Sequence, residues 1–144
     1  MSALASRLAL TASTATRVEP SVANEAVMYQ LLNRIMTAVG DRTLYEDVLE
    51  PRPSIGAVVS AAVTVSRLNE RFQEALEIEP YWGELSLIWR SGREKRVKAT
   101  FDDDGRFSIY YEQMIGGHVT DSGMLTPQNN YSENLTNRLA WLRS

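Results

Sequence analysis

Four groups of residues in this chain could do chemistry. The densest is basic: Arg90, Arg93, Lys95, Arg96 and Lys98, with Glu94 among them and Arg106 not far behind. Cations spaced like this can neutralise phosphates, and Tyr110 close by could stack a base. The plainer reading is a solvated sheet face, where Lys and Arg discourage aggregation. Asp102-Asp103-Asp104 offers carboxylates to a cation. The spaced ligands and closing glutamate of a calcium loop are missing, so a tight turn fits better. His118, the only histidine, precedes Asp121, and a base with a carboxylate could serve a small hydrolase. No serine elbow, P-loop or zinc helix accompanies it, and Gly116-Gly117 beside it reads as a turn. Glu74, Glu77, Glu79 and Glu84 surround a helix-to-strand junction. Paired acids can run acid–base chemistry, but nothing in this spacing forces them together.

Bulk properties narrow the classes further. The chain has 144 residues, 44% hydrophobic and 23% charged, which suits one soluble domain with its own core. A net charge of −3 gives no general attraction to nucleic acid or to anionic membranes. There is no cysteine, so disulfides, thiolate nucleophiles and thiolate-held metals are ruled out. No apolar run reaches the roughly 18 residues of a membrane span. A cytoplasmic protein without a membrane partner is expected. Residues 1–18, rich in Ser, Thr and Ala, are expected to form a flexible tail ahead of a domain over residues 19–144.

The elements that must position these groups are written in the hydrophobic periods. Pro20 and Ser21 open a helix whose stripe runs from Val27/Met28 to Val39, with Gly40-Asp41 as its stop. A short amphipathic piece is expected over Leu44 to Leu49, and Pro51-Arg52-Pro53 then forces extended chain. Ser54 caps a second helix expected from Ile55 to about Leu76. Its first half is apolar nearly all round, so either helix one and the sheet cover it or another subunit does.

From Leu85 to Tyr111 the period changes to two. Leu85, Leu87, Trp89, Val97, Ala99, Phe101, Phe107, Ile109 and Tyr111 alternate with polar residues, which implies a sheet with one buried face. Parity requires an odd-length loop after Arg90, expected with Arg90 opposite Glu94. Asp103-Asp104-Gly105 should close a three-residue hairpin, pairing Phe101 with Phe107 and Ala99 with Ile109. A fourth strand is expected from His118 to Asp121, then a closing helix capped by Ser132.

One resemblance follows from these features. Ala75-Leu76, Pro80-Tyr81-Trp82, Leu87-Ile88-Trp89, Arg96-Val97-Lys98, Asp104-Gly105, Tyr110-Tyr111 and Trp141-Leu142 set out a pattern: helix, Pro-aromatic entry, strand ending in Trp, basic hairpin strand, Asp-Gly turn, Tyr-rich strand and Trp-Leu helix. In this it resembles a group of small uncharacterised bacterial proteins, over residues 75–142. The resemblance implies a bacterial or phage origin and an accessory role. It brings no catalytic residues.

The expected fold is α+β: two N-terminal helices on an antiparallel three- to four-stranded meander, closed by a short C-terminal helix. The expected function is non-enzymatic protein binding, as an accessory, an inhibitor or antitoxin-like factor, or an assembly subunit. Arg90, Arg93, Arg96, Lys98, Arg106 and Tyr110 are the candidate partner-binding residues. The partner is another protein, a second copy of the chain, or both. Single-stranded nucleic acid and a His118 hydrolase stand as alternatives, and no metal or cofactor is expected.

Overall fold

The computed structural model describes residues 21–104 and 106–143. The expected tail, the Ser21 capping side chain and the left-handed Gly105 lie outside what it describes. The chain is α+β. Helix α1 (Ser21–Gly40) leads, through a 3-10 turn (Arg42–Leu44), to α2 (Ile55–Ser66) and the short α3 (Glu70–Glu74). Strands β1 (Glu77–Tyr81), β2 (Glu84–Ser91), β3 (Lys95–Phe101), β4 (Phe107–Ile115) and β5 (His118–Leu125) follow, then α4 (Tyr131–Trp141). The strands form one antiparallel meander in the order β1-β2-β3-β4-β5.

One face of that meander carries the core. Leu85, Leu87, Trp89, Val97, Ala99, Phe101, Phe107 and Ile109 are all buried, and Tyr111 is half-buried. They meet Leu31, Ile35 and Val39 of α1, Val58, Ala61 and Val65 of α2, and Leu135 and Leu139 of α4 in one hydrophobic cluster. The indole of Trp89 spans the two layers, donating from Nε1 to the Phe72 carbonyl at 2.8 Å. The apolar half of α2 is covered from within the chain, by α1 and by β2 and β3. Ile55 and Val59 remain exposed on it. Ser54 caps α2 as expected, its Oγ accepting from the Ala57 amide at 3.1 Å.

Several expectations need correction. The described residues form five strands, not three or four, because Glu77–Tyr81, expected as the junction between the second helix and the first strand, forms β1. That helix stops at Ser66, and Asn69 accepts from the Arg71 amide to cap the separate α3. Glu77-Ile78-Glu79-Pro80-Tyr81 alternates as a strand, and Pro80 is tolerated because β1 is an edge. Arg90 faces Arg96 rather than Glu94. The loop is odd in length, Gly92-Arg93-Glu94, but the register is one pleat further on. Glu94 is drawn toward β4, where its carbonyl accepts from the Met114 amide at 2.7 Å. The Leu44–Leu49 piece is not an amphipathic helix: only Arg42–Leu44 coils, and Val48 and Leu49 stand in solvent. Ser132 does not cap α4. Its hydroxyl donates to the Thr64 carbonyl at 2.9 Å, fastening α4 to α2, and Asn130 holds the cap position. The β3–β4 register is as expected, Phe101 with Phe107 and Ala99 with Ile109.

Two local devices hold the sheet's margins. Tyr111 faces Gly123 across β4 and β5, and its ring lies flat over the glycine. A Cβ on Gly123 would sit 2.5 to 2.8 Å from the Tyr111 hydroxyl and ring. The same ring packs edge-on against Trp141 and takes the Arg138 guanidinium at 3.8 Å. The second device is the β1–β2 turn, Trp82-Gly83, with φ of 46° and 88°. Two positive values mark the type I′ hairpin, which suits Asn-Gly and strains a tryptophan. Buried Glu50 holds it: Oε2 accepts from the Trp82 amide at 2.7 Å and Oε1 from the Glu46 amide at 2.9 Å.

Gly123→Ala is expected to destabilise the chain by about 1–3 kcal/mol through overpacking. Gly40→Ala, built into open space, is the control. Equal urea midpoints for the two variants would refute the Tyr111 packing. Glu50→Gln, which replaces an accepting oxygen with a donor, is expected to cost about 1.5–3 kcal/mol in the same assay.

Candidate functional site

Among the described residues, no helix packs on the face of the sheet opposite the core. Across it, one row reads Glu77, Ile88, Lys98, Tyr110, Met124. Beside it runs a second row, Arg90, Arg96, Glu112, Ser122, and on the other side Glu79, Ser86, Thr100, Ser108. Even-numbered residues of β2, β3 and β4 therefore build this face, as the alternation requires.

Its cations are matched by acids from neighbouring strands. Arg90 Nε lies 2.9 Å from Glu77 Oε2. Lys98 Nζ lies 3.5 Å from Glu79 Oε1, reaching across β2 to the edge strand. Arg96 lies 3.8 Å from Glu112 and stacks over the Tyr110 ring at 5.9 Å. The stems of these pairs roof Ile88, which is only 3% exposed although it points away from the core. Ser86 is buried with it and bonds Thr100 hydroxyl to hydroxyl at 2.9 Å. The result is a level, nearly neutral surface.

Tyr110 sits near its centre. Its hydroxyl donates to Glu112 at 2.8 Å, and that bond raises the phenol above its usual value, with desolvation adding to it. Arg96 and a bond with Ser122 pull the other way.

The structure groups four of the six candidate residues and parts the other two. Arg90, Arg96, Lys98 and Tyr110 share the open face. Arg93 projects from the β2–β3 turn. Arg106 lies at the opposite end of the strands, 3.3 Å from Asp104. Asp102 is a turn residue, its Oδ1 accepting from the Asp104 and Arg106 amides. His118 is exposed beside the β4–β5 turn, its backbone paired with Ile115, and its side chain makes no hydrogen bond among the described residues. Glu77 and Glu79 stand on the open face, while Glu84 lies at the far end of β2. Glu77 and Glu79 went unrecognised as members of this face because residues 77–81 were read as a junction between helix and sheet rather than as a strand. The Glu-Ile-Glu-Pro-Tyr alternation before Trp82-Gly83 is the signal that could have found them.

Among the described residues no helix is long and apolar enough to cross a membrane, and no three acids or histidines gather as a metal site. No protein-family model, curated protein or solved structure matches the chain.

Because the folded state raises the Tyr110 phenol, the linked stability is fully present below the ordinary tyrosine range and is lost as pH rises through the elevated value. Tyr110→Phe is expected to remove one step above the ordinary tyrosine range from the phenolate absorbance titration. If that step survives, the Tyr110–Glu112 bond is not made in solution.

Proposed function

We propose that this chain is a non-enzymatic protein-binding factor, an accessory, inhibitor or assembly subunit, that offers its open sheet face to another protein. One observation carries the reading: among the described residues every long helix packs on the same side of the sheet, and none covers the Tyr110 face. That face is level and centred on an aromatic with a polar tip, the residue type that anchors protein interfaces. Charges already paired in place can meet a protein of mixed charge without a large desolvation mismatch. The resemblance of the Ala75-Leu76 to Trp141-Leu142 pattern to small uncharacterised bacterial proteins is in keeping with an accessory role.

Single-stranded nucleic acid is the weaker fit. A phosphate binder needs cations free to displace counterions. Here Arg90, Arg96 and Lys98 already face Glu77, Glu112 and Glu79. His118 has no carboxylate partner that would make it a general base.

Tyr110→Asp and Lys98→Glu alter the centre of the face without touching the core. Capture from the native host with the parent chain is expected to retain a protein that both folded variants lose. Retention by both variants would refute the face as the binding surface. A labelled single-stranded oligonucleotide is expected to show no anisotropy change at low salt. Salt-dependent binding that Lys98→Glu removes would replace the protein reading with the nucleic-acid one.

A further inference from the structure

The two ends of the sheet carry complementary chemistry. One end holds the β1–β2 and β3–β4 turns. Glu84, Asp102, Asp103 and Asp104 lie there, joined by Glu46 and Asp47 from the segment docked on Trp82-Gly83. The cations of that end are already engaged: Arg106 pairs with Asp104, and Arg52 lies over the Tyr45 ring at 5.7 Å. Amid the acids stands an apolar tip. Tyr81 and Trp82 are 49% and 46% exposed, and Val48 and Leu49 are 88% and 83% exposed. The chain accepts a strained left-handed backbone at Trp82, and a buried carboxylate, to present that ring.

The other end holds a cleft of about 430 Å³. Arg71, Arg90 and Arg143 rim it, over a floor of Phe72, Trp89 and Leu142. Among the described residues no acid lines it, although Glu77 holds Arg90 from outside and Glu94 lies in the neighbouring turn with Arg93. Glu84 and Ser91, at opposite ends of β2, place the two features roughly 24 Å apart along the strand direction.

We propose that the aromatic tip of one copy enters the arginine-rimmed cleft of the next. The cavity is large enough for an indole, and guanidinium groups favour the face of such a ring. The acids around the tip then meet the arginines around the cleft. Tip and cleft are different surfaces, so we take the contact as head-to-tail, and each pair keeps one free tip on one copy and one free cleft on the other. A single side-chain insertion buries less than a standard stable interface, so association is weak and salt-sensitive. The proposal stands apart from the open-face reading. Its failure would leave the Tyr110 surface untouched.

Sedimentation velocity on the full chain tests it. The weight-average mass is expected to climb above the 16.2 kDa monomer as concentration rises toward the millimolar range at low salt, and to fall back at high salt. Trp82→Asn removes the tip, and Arg71→Glu with Arg143→Glu blocks the cleft. Each variant alone is expected to stay monomeric, and their mixture to form a one-to-one dimer and nothing larger. A reciprocal two-fold dimer would hold the parent at two copies, whereas the head-to-tail contact lets its mass climb past that. Asn suits the left-handed turn, so Trp82→Asn should melt no lower than the parent. Trp82→Gly, equally at ease there, gives a second route to the same result. A parent chain monomeric at submillimolar concentration, undiminished association of Trp82→Asn, or a mixture that stays monomeric would overturn the proposal.

Discussion

One-sided burial of a five-stranded sheet is the constraint on which the rest depends. Alternation along β2, β3 and β4 sends most large apolar side chains to one face, Ile88 and Met114 excepted, and α1, α2 and α4 have to gather there. Trp89 locks that choice. Its indole is 2% exposed and its Nε1 donor is satisfied at the Phe72 carbonyl, so a one-residue slip of β2 would expose the ring and strand the donor. Once the helices sit on that side, the other face has no cover within the described residues.

An uncovered face must then be made compatible with water. The chain does this with cross-strand ion pairs laid over one aliphatic residue. Exposed pairs of this kind contribute little individually, typically below about 1 kcal/mol. Their effect here is structural in another sense: the stems of Arg90 and Lys98 shield Ile88, and the heads cancel Glu77 and Glu79. A basic run that looks like a phosphate-binding stripe in one dimension becomes a neutral surface in three.

That difference marks how far the sequence could be read. The buried face was legible residue by residue, because a period of two admits one assignment of inside and outside. The β3–β4 register was legible because Asp-Asp-Gly fits one loop length. The β2–β3 register was not: parity leaves two-residue steps open, and the choice was made by a long-range bond from Met114 to Glu94. β1 was hidden by Pro80 and by a helical pattern running into it from Leu68 and Phe72. With β1 went Glu77 and Glu79, and so the candidate face was read as basic. Of its residues, Arg96, Lys98 and Tyr110 follow from alternation alone. Arg106 does not, since Asp102 closes a turn that leaves its side chain beside Asp104.

The sheet's two edges bear on how copies of the chain could meet. β1 carries Pro80 and the acids Glu77 and Glu79, and α1 packs beside it, so a further strand finds few free donors there. β5 is long and exposed, with Val119 and Met124 outward, but its pairing with β4 shifts between Gln113 and Met114, where Thr120 falls out of the register and its hydroxyl donates to the Gln113 carbonyl. A bulge twists an edge away from flat pairing. Both edges are therefore poor templates for sheet extension across the strands. The strand direction remains, and there the turns concentrate acids and aromatics at one end and arginines at the other. Contacts between copies are disfavoured where they would be indiscriminate and favoured where tip and cleft differ, which is the condition for ordered rather than amorphous association.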